Sequence, residues 1–329
     1  MEDLINTVLL SLMAAAAIGM IRLRNLFAVV MLSGIFSLSA AALYVVLDAV
    51  DVAFTEASVG AGIATVLMLS TLALTTTEEA IKDHRNMSAL VVVLIAGAVL
   101  IYGTLDMPFY GDPMAPIHLH VAPLYLRDSI VATGVPNVVT SVLASYRGYD
   151  TLGETTVIFT AAASVMALIG RGRRKVKHGV PEGAPSHGYS SMKPHPILRV
   201  TAKLLIPAIL IYAFYVQAHG DFGPGGGFQA GVIFGSTFIL YALIFGVDNT
   251  RIAIRGWVRR TMMASGVLIY AGTGVAALLL GGNFLDYSAL LHDPVHGQHL
   301  GIFLVELGVG VTVSGSMITI FLIFAGQDR

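Results

Sequence analysis

Nine apolar stretches constrain this chain more than anything else in it. They cover about residues 4–21, 26–47, 54–74, 88–102, 152–170, 198–218, 228–246, 257–280 and 300–325. A helix needs ~20 mostly apolar residues to cross a bilayer. Hydrocarbon offers backbone groups no water, so a spanning segment must satisfy them internally, as a helix does. The charge content agrees: 12% of residues are charged and 56% are hydrophobic, where a soluble domain carries roughly 25% charged residues. The expected fold is an all-α integral membrane protein of about nine transmembrane helices.

The placement of lysine and arginine supports that count, because basic residues collect on the cytoplasmic side. Arg22 and Arg24 follow the first stretch, Lys82 and Arg85 the third, and Arg171, Arg173, Arg174, Lys175 and Lys177 the fifth. Arg251, Arg255, Arg259 and Arg260 follow the seventh, and Arg329 the ninth. The opposite loops hold Asp48, Asp51, Asp221, Asp286 and Asp293, with Arg127 and Arg147 as their cations. Every odd-numbered span thus ends on the basic side, which predicts an outside N-terminus and a cytoplasmic C-terminus. Glu2 and Asp3 precede the first stretch. A removable signal peptide starts positive, so none is expected.

Two longer connections divide the chain. Residues 103–150 read as an outside loop rich in Pro, His and Tyr. Their 137–146 part alternates apolar and polar residues, which predicts an amphipathic helix along the interface. Residues 172–196 are basic and then rich in Pro, Gly, Ser and His. They read as a flexible cytoplasmic linker between two membrane modules.

Several function classes are excluded or disfavoured. The chain has no cysteine, hence no disulfide, thiolate metal site or thiol nucleophile. A formal net charge of −1 makes no case for nucleic acid. No phosphate-binding loop, dinucleotide fingerprint or nucleophile motif is present. His118 and His120 sit in one loop and His292, His296 and His299 in another. Their spacing matches no standard zinc pattern, so they are read as solvated. No metal, no cofactor and no catalytic residue are expected.

The chemistry must then lie with polar groups at membrane depth, where ionisable residues are rare and functional by default. Residues 219–231, HGDFGPGGGFQAG, interrupt the apolar pattern with Gly223, Pro224, Gly225, Gly226 and Gly227 before Phe228 reopens it. Such a segment is either a tight extramembrane turn or a packed connection that shapes an ion path. Glycine permits close backbone approach, and irregular backbone at membrane depth survives only under protein or beside a wet cavity. His219 borders this segment and can titrate near neutral pH; Asp221 lies inside it.

Four further charges stand near or within spans. Glu56 falls in the first turn or two of the third span, as a helix-start carboxylate favoured by the dipole or as part of an ion path. Gly60 and Gly62 after it would allow close helix packing. Glu154 stands at the outer start of the fifth span. With Asp150 and Thr151 it fits a helix cap with a supporting acid, which spacing alone favours. Arg147 can offset one of these acids. Lys203, about a turn and a half into the sixth span, either snorkels to the interface or passes protons and repels cations. Glu306 lies some six residues into the ninth span, ~9 Å from its outer end at 1.5 Å per residue. No cation is near it in sequence, and an unpaired carboxylate there is strongly disfavoured. It must be protonated, hydrogen-bonded, or close to water or a cation.

At this point a resemblance enters. PGGGFQAG followed by an apolar span resembles the B-type subunit of the multisubunit Mrp-type cation/proton antiporters, and the matching component of membrane-bound hydrogenases with an Mrp-like module. It covers residues 196–329, and Glu306 in VELGVGVTVSG fits the family's acid-glycine-valine pattern. The commoner form carries Gly-His-Asn shortly before the motif. Here Gly220-Asp221-Phe222-Gly223 stands there, so no role is carried over for that histidine. DVAFTEASVGAGIATVLML is similar to the small subunit that hydrogenase modules place beside the B-type one, and YRGYDTLGETTVIFTAA to the next small subunit. In many Mrp antiporters both are fused to the end of the large A-type subunit; here both stand before the B-type part. The resemblance implies that Glu56 and Glu154 match glutamates used in cation transport.

It also implies a modular organisation: a three-helix module over 1–85, a two-helix module over 86–171, the linker over 172–196 and a four-helix module over 197–329. The implied function is an accessory ion-path subunit of a Na+/H+ antiporter complex. Its partners would be membrane lipid, Na+, H+ and the other subunits, including the large proton-pumping ones absent from this chain. Glu56, Glu154 and Glu306 would line a hydrated route between modules. One alternative is the same module within a redox-driven pump, and another is a structural scaffold. A self-sufficient transporter is not expected, because no broken-helix repeat with a midplane site occurs in both halves.

Overall fold

The computed structural model describes residues 2–72, 75–80, 87–109, 111–169 and 196–326. Among these, nine helices are long and apolar enough to cross a membrane. The one β contact among the described residues is an isolated bridge between Asn25 and Glu78. Helices α1 (Glu2–Arg22) and α2 (Leu26–Val46) form an antiparallel pair. Asn25 starts α2, its side chain accepting from the Ala28 amide at 3.0 Å, as a helix N-terminus requires. Helix α3 (Val50–Leu72) crosses beside them and widens to a π-helix over Ala57–Ala64. Helix α4 (Met87–Thr104) has no buried residue.

The segment 103–150, expected as a loop, contains helical structure. Helices α5 (Val121–Thr133) and α6 (Val138–Tyr146) meet at an 84° bend, which starts where Gly134 adopts φ +71°, a common helix ending. Residues 137–146 are helical, but they do not lie on an interface with polar groups outward. Thr140 and Ser141 are buried, while Val139 and Leu143 are exposed. The alternation is inverted because, in an apolar surround, hydroxyls need protein partners: Ser141 Oγ meets Thr133 Oγ1 at 3.0 Å. The linker expected over 172–196 lies outside the described residues except for its last, Pro196, where α8 begins.

Helix α7 (Gly148–Leu168) follows α6 directly. Then come α8 (Pro196–His219), α9 (Gly227–Phe245), the short α10 (Val247–Ala253), α11 (Gly256–Leu279) and α12 (Pro294–Phe324). Helix α12 is the axis of the fold, packed by α7, α9 and α11. A helix apolar on all sides is one that belongs inside, and Ile302, Val305, Val313 and Ile318 are fully buried. Asp293 starts it, accepting from the Val295 amide at 2.9 Å, with Pro294 in the first turn. Glu306 is therefore twelve residues into its helix rather than six, roughly 18 Å along the axis.

Close helix approach depends on glycine. A Cβ at Gly231 of α9 would lie 2.7 Å from the Gly310 carbonyl of α12. With little hydrophobic drive between helices in lipid, such small-residue contacts bring backbones together.

Candidate functional site

The glycine-rich segment folds into a buttressed connection. Gly226 adopts φ +109°, which favours glycine, and its amide bonds the Val216 carbonyl at 3.1 Å. The first amides of α9 follow. Gly225, Gly226 and Gly227 are buried, Phe228 is half-buried and Pro224 is exposed.

Groups from the first half of the chain pin this connection. The Asn137 side-chain amide donates to the carbonyls of Gly223 (3.0 Å) and Gly220 (3.2 Å), and the Thr140 hydroxyl donates to Gly220 at 2.7 Å. The Asp51 carboxylate accepts from the Gly225 amide at 3.3 Å. Gln229 reaches the Thr55 hydroxyl of α3 at 2.7 Å. Asp221 is buried; its carbonyl accepts from the Asn137 amide at 3.0 Å, and its carboxylate meets His299 Nε2 at 2.9 Å. The irregular backbone thus finds its partners within protein, as backbone at membrane depth must.

Glu306 projects against this connection. A Cβ on Gly220 would lie 3.0 Å from Glu306 Oε2, and one on Gly226 3.0 Å from Oε1. Both glycines make room for the carboxylate. Beside it opens a cavity of about 560 Å³, lined by Glu306, Glu154, Asp51, Gln229, Tyr270, four threonines (Thr55, Thr140, Thr151 and Thr155), Gly225–Gly227 and apolar side chains. Glu154 and Glu306, on separate helices, therefore face one volume. The corner that presents Glu154 is held by two buried tyrosines: Tyr270 donates to the Gly148 carbonyl at 2.7 Å and Tyr287 to the Ala144 carbonyl at 3.0 Å.

Several residues sit differently from their expected places. Asp150, Thr151 and Glu154 do not cap α7. The cap position is Arg147 and makes no side-chain cap bond, because the helix starts earlier, at Gly148. Thr151 donates instead to the Leu143 carbonyl at 2.8 Å. Arg147 pairs with Asp150 at 2.7 Å and leaves Glu154 free for the cavity. Glu56 lies outside this cavity. The space of Gly60's missing Cβ is taken by the Glu56 carboxylate and by Ser37 of α2, so Glu56 occupies a notch on the α2 side. Gly60 thereby hosts polar groups, and Gly62 lines a separate cavity of about 290 Å³ between α3 and α9.

Lys203 and His219 are sixteen residues apart on α8, roughly 24 Å along the axis, so Lys203 is remote from the glutamate cavity. His219 is half-buried and stacks on Tyr215 with ring centroids 5.0 Å apart. His296 and His299 belong to the first turns of α12, not to a loop. His296 contacts Asp293 at 2.9 Å. Among the described residues no three His, Asp or Glu side chains converge as a metal site would require. Asp51, Asn137, Thr140, Gln229 and His299 carry no local sequence signal for their places. Their partners are 78 to 178 residues away in the chain.

Comparisons with known proteins bear on this arrangement. Residues 197–319 match the family described as a domain related to the MnhB subunit of Na+/H+ antiporter. Residues 11–77 match MbhD and residues 83–181 match MbhE, two families of MBH subunits. The antiporter subunit mnhB2 of Staphylococcus haemolyticus is 37% identical over 40% of this chain and 94% of its own length. An A/B-type K+/H+ antiporter subunit of Rhizobium meliloti is 29% identical over 65% of this chain, which spans 23% of that longer relative. The solved Mrp complex from Dietzia sp. DQ12-45-1b superposes with TM-score 0.75 at 26% identity, over 98% of this chain and 35% of the matched one. The chain thus belongs to the MnhB-related family of subunits of monovalent cation/proton antiporter complexes, and is a multi-pass membrane protein.

Proposed function

We propose that this chain forms an ion path within a monovalent cation/proton antiporter complex, with Glu154 and Glu306 as its ion-binding carboxylates. The observation that carries this reading is that the two glutamates face one cavity of about 560 Å³ beside the glycine-rich connection. A carboxylate that binds H+ and Na+ in alternation couples the two ions by competition. The low-dielectric walls strengthen that exchange, and the pinned connection holds Glu306 in place while it occurs. Glu56, in its notch beside Ser37, serves as a second station reached from the α2 side. Asp221, His219 and the Pro224–Phe228 turn shape the route, and Lys203, which lines a separate cavity, is not part of it.

In this reading the chain comprises the modules 1–85, 86–171 and 197–329, with 172–196 as the joining linker. The basic clusters place the N-terminus outside and the C-terminus in the cytoplasm. The remaining subunits, including large proton-pumping ones, complete the cavity's open side. In this reading the chain is a transporter component and not an enzyme.

The test is Na+-dependent proton movement in vesicles containing the assembled complex. Glu154→Gln and Glu306→Gln abolish it while the complex still purifies intact, and Glu56→Gln does the same if its notch lies on the route. Normal transport in any of these variants removes that residue from the path. A second reading, the same module in a redox-driven pump, is favoured by the MBH-type matches over 11–77 and 83–181. Copurification of iron–sulfur or hydrogenase subunits with the complex decides for it.

A further inference from the structure

Lys203 stands in a place that the ion path does not use. It and Arg199 lie four residues apart on α8, hence on one face, and both line a cavity of about 460 Å³ with Ile206, Tyr241, Phe245 and Asn249. Among the described residues no carboxylate lines this cavity. Asp248, next in sequence to the lining residue Asn249, contacts Arg251 at 3.8 Å. The Arg199 guanidinium lies over the Phe245 ring at 5.5 Å, which fixes its plane by cation–π attraction. Its Nε is shut off from solvent and has no hydrogen-bond partner among the described residues. A buried donor without an acceptor is costly, so an acceptor at this position would relieve it.

The cavity also contains a break in the backbone ladder. Pro207, inside α8, has no amide hydrogen to offer the Lys203 carbonyl one turn before it. Beside the cavity, about 100° round the helix, α8 presents exposed apolar surface, with Val200 at 69% and Leu204 at 77% exposure. Its apolar lining, Ile206, Tyr241 and Phe245, belongs to a cluster with the buried Ala202 and Ile244. Two cations therefore sit near the start of α8, beside surface suited to acyl chains. The same membrane side carries Arg251, Arg255, Arg259 and Arg260.

We propose that α8, α9 and α10 form a binding site for an anionic glycerophospholipid, its phosphate held by Arg199 and Lys203 and its acyl chains lying along α8. Basic pockets between transmembrane helices are built for such headgroups. A free phosphate ion would use the cations and leave the apolar surface unused, so the site is assigned to a lipid. A second role for Lys203 follows. It secures the end of α8 whose other end leads into the glycine-rich connection.

The test is native mass spectrometry of the delipidated complex with phosphatidylglycerol, phosphatidylcholine or inorganic phosphate added. The wild-type complex retains phosphatidylglycerol in preference to phosphatidylcholine. Lys203→Gln and Arg199→Gln each weaken retention roughly fivefold, as expected for one basic group near a headgroup, and the double variant weakens it further. Lys203→Arg keeps it. Arg260→Gln, a charge on the same membrane side but outside the cavity, leaves it unchanged. Size-exclusion profiles confirm assembly of each variant. The proposal is overturned by a double variant that retains phosphatidylglycerol like wild type, by equal retention of phosphatidylcholine, or by an Arg260→Gln loss as large as that of Lys203→Gln. Displacement of phosphatidylglycerol by inorganic phosphate at equal concentration overturns the lipid assignment.

Discussion

Helix α9 presents a ladder of glycines to α12, and the ladder predicts a graded response to one added methyl group. At Gly227 a Cβ would meet the Glu306 carbonyl oxygen, lie 2.8 Å from the Glu306 carbonyl carbon and 3.0 Å from the Gly310 amide nitrogen. All three are backbone atoms, so no rotamer change relieves the clash. Carbon contacts are optimal near ~3.5–4.0 Å, which means the helices must part by roughly 0.7–1 Å. At Gly231 the obstacles are the Gly310 carbonyl at 2.7 Å and Val313 Cβ at 2.8 Å. At Gly235 the nearest atom is Met317 Cβ at 3.2 Å, a shortfall of a few tenths. At Gly272 of α11 nothing lies within 4 Å.

Overpacking of this kind costs about 1–3 kcal/mol. Gly227→Ala and Gly231→Ala belong at the upper end of that range and Gly235→Ala at the lower. Gly272→Ala should be neutral, or stabilising by up to ~1 kcal/mol through helix propensity. The assay is thermal melting of the purified complex in one detergent, with transport measured in parallel. Gly227→Ala should also depress transport beyond its stability loss, because the displaced backbone is that of Glu306. Equal melting of Gly227→Ala and Gly272→Ala would refute the claim that close backbone contact fixes α9 on α12.

Three further outcomes follow. Asn137→Ala leaves the Gly223 carbonyl without its donor, an orphaning that costs about 1–3 kcal/mol, and it should speed hydrogen exchange of amides 219–227 while distant spans stay protected. Burial pushes the Tyr287 phenol well above its ordinary value of 10.0. The neutral form is thus favoured in the folded chain, so its stabilisation is complete below about pH 10 and is lost as pH rises beyond it. Tyr287→Phe should cost about 1 kcal/mol at neutral pH through the bond to Ala144, and flatten the fall in melting temperature above that pH; an unchanged slope refutes the assignment. A double-mutant cycle read in the melting temperature of the complex should show strong non-additivity for Glu154→Gln with Glu306→Gln, which share a cavity. The cycle of Glu56→Gln with Glu306→Gln should show less, and equal coupling in both would contradict the separate placement of Glu56.

The spans were legible because lipid imposes a length and an apolar rule on every crossing, whatever packs beside it. Depth was less so. VHGQH before Leu300 is polar enough to suggest a loop, yet it forms the first turns of α12, because His299 finds Asp221 and Gln298 finds Ser145 at 2.6 Å. Those partners come from α6 and from the glycine-rich connection, and leave no periodicity in the sequence. The same cause inverted α6. Alternation of polar and apolar residues has no sign of its own, and the sign reverses when the polar partners are protein groups on the inside, as for Thr140 and Ser141.

The glycine-rich connection shows where sequence pattern and structure meet. Glycine and proline marked the segment, but not what it leans on. Asp51 and Thr55 lie in the stretch that matches MbhD, Asn137 and Thr140 in the stretch that matches MbhE, and Glu306 and the connection itself in the MnhB-related stretch. All three families of residues converge on one loop of backbone carbonyls and amides. Removing any one stretch would strand buried polar groups on the others, each costing about 1–3 kcal/mol. The joint at the cavity is therefore also the place where the three parts of the chain hold one another, and that dependence is a physical reason for them to travel on one polypeptide.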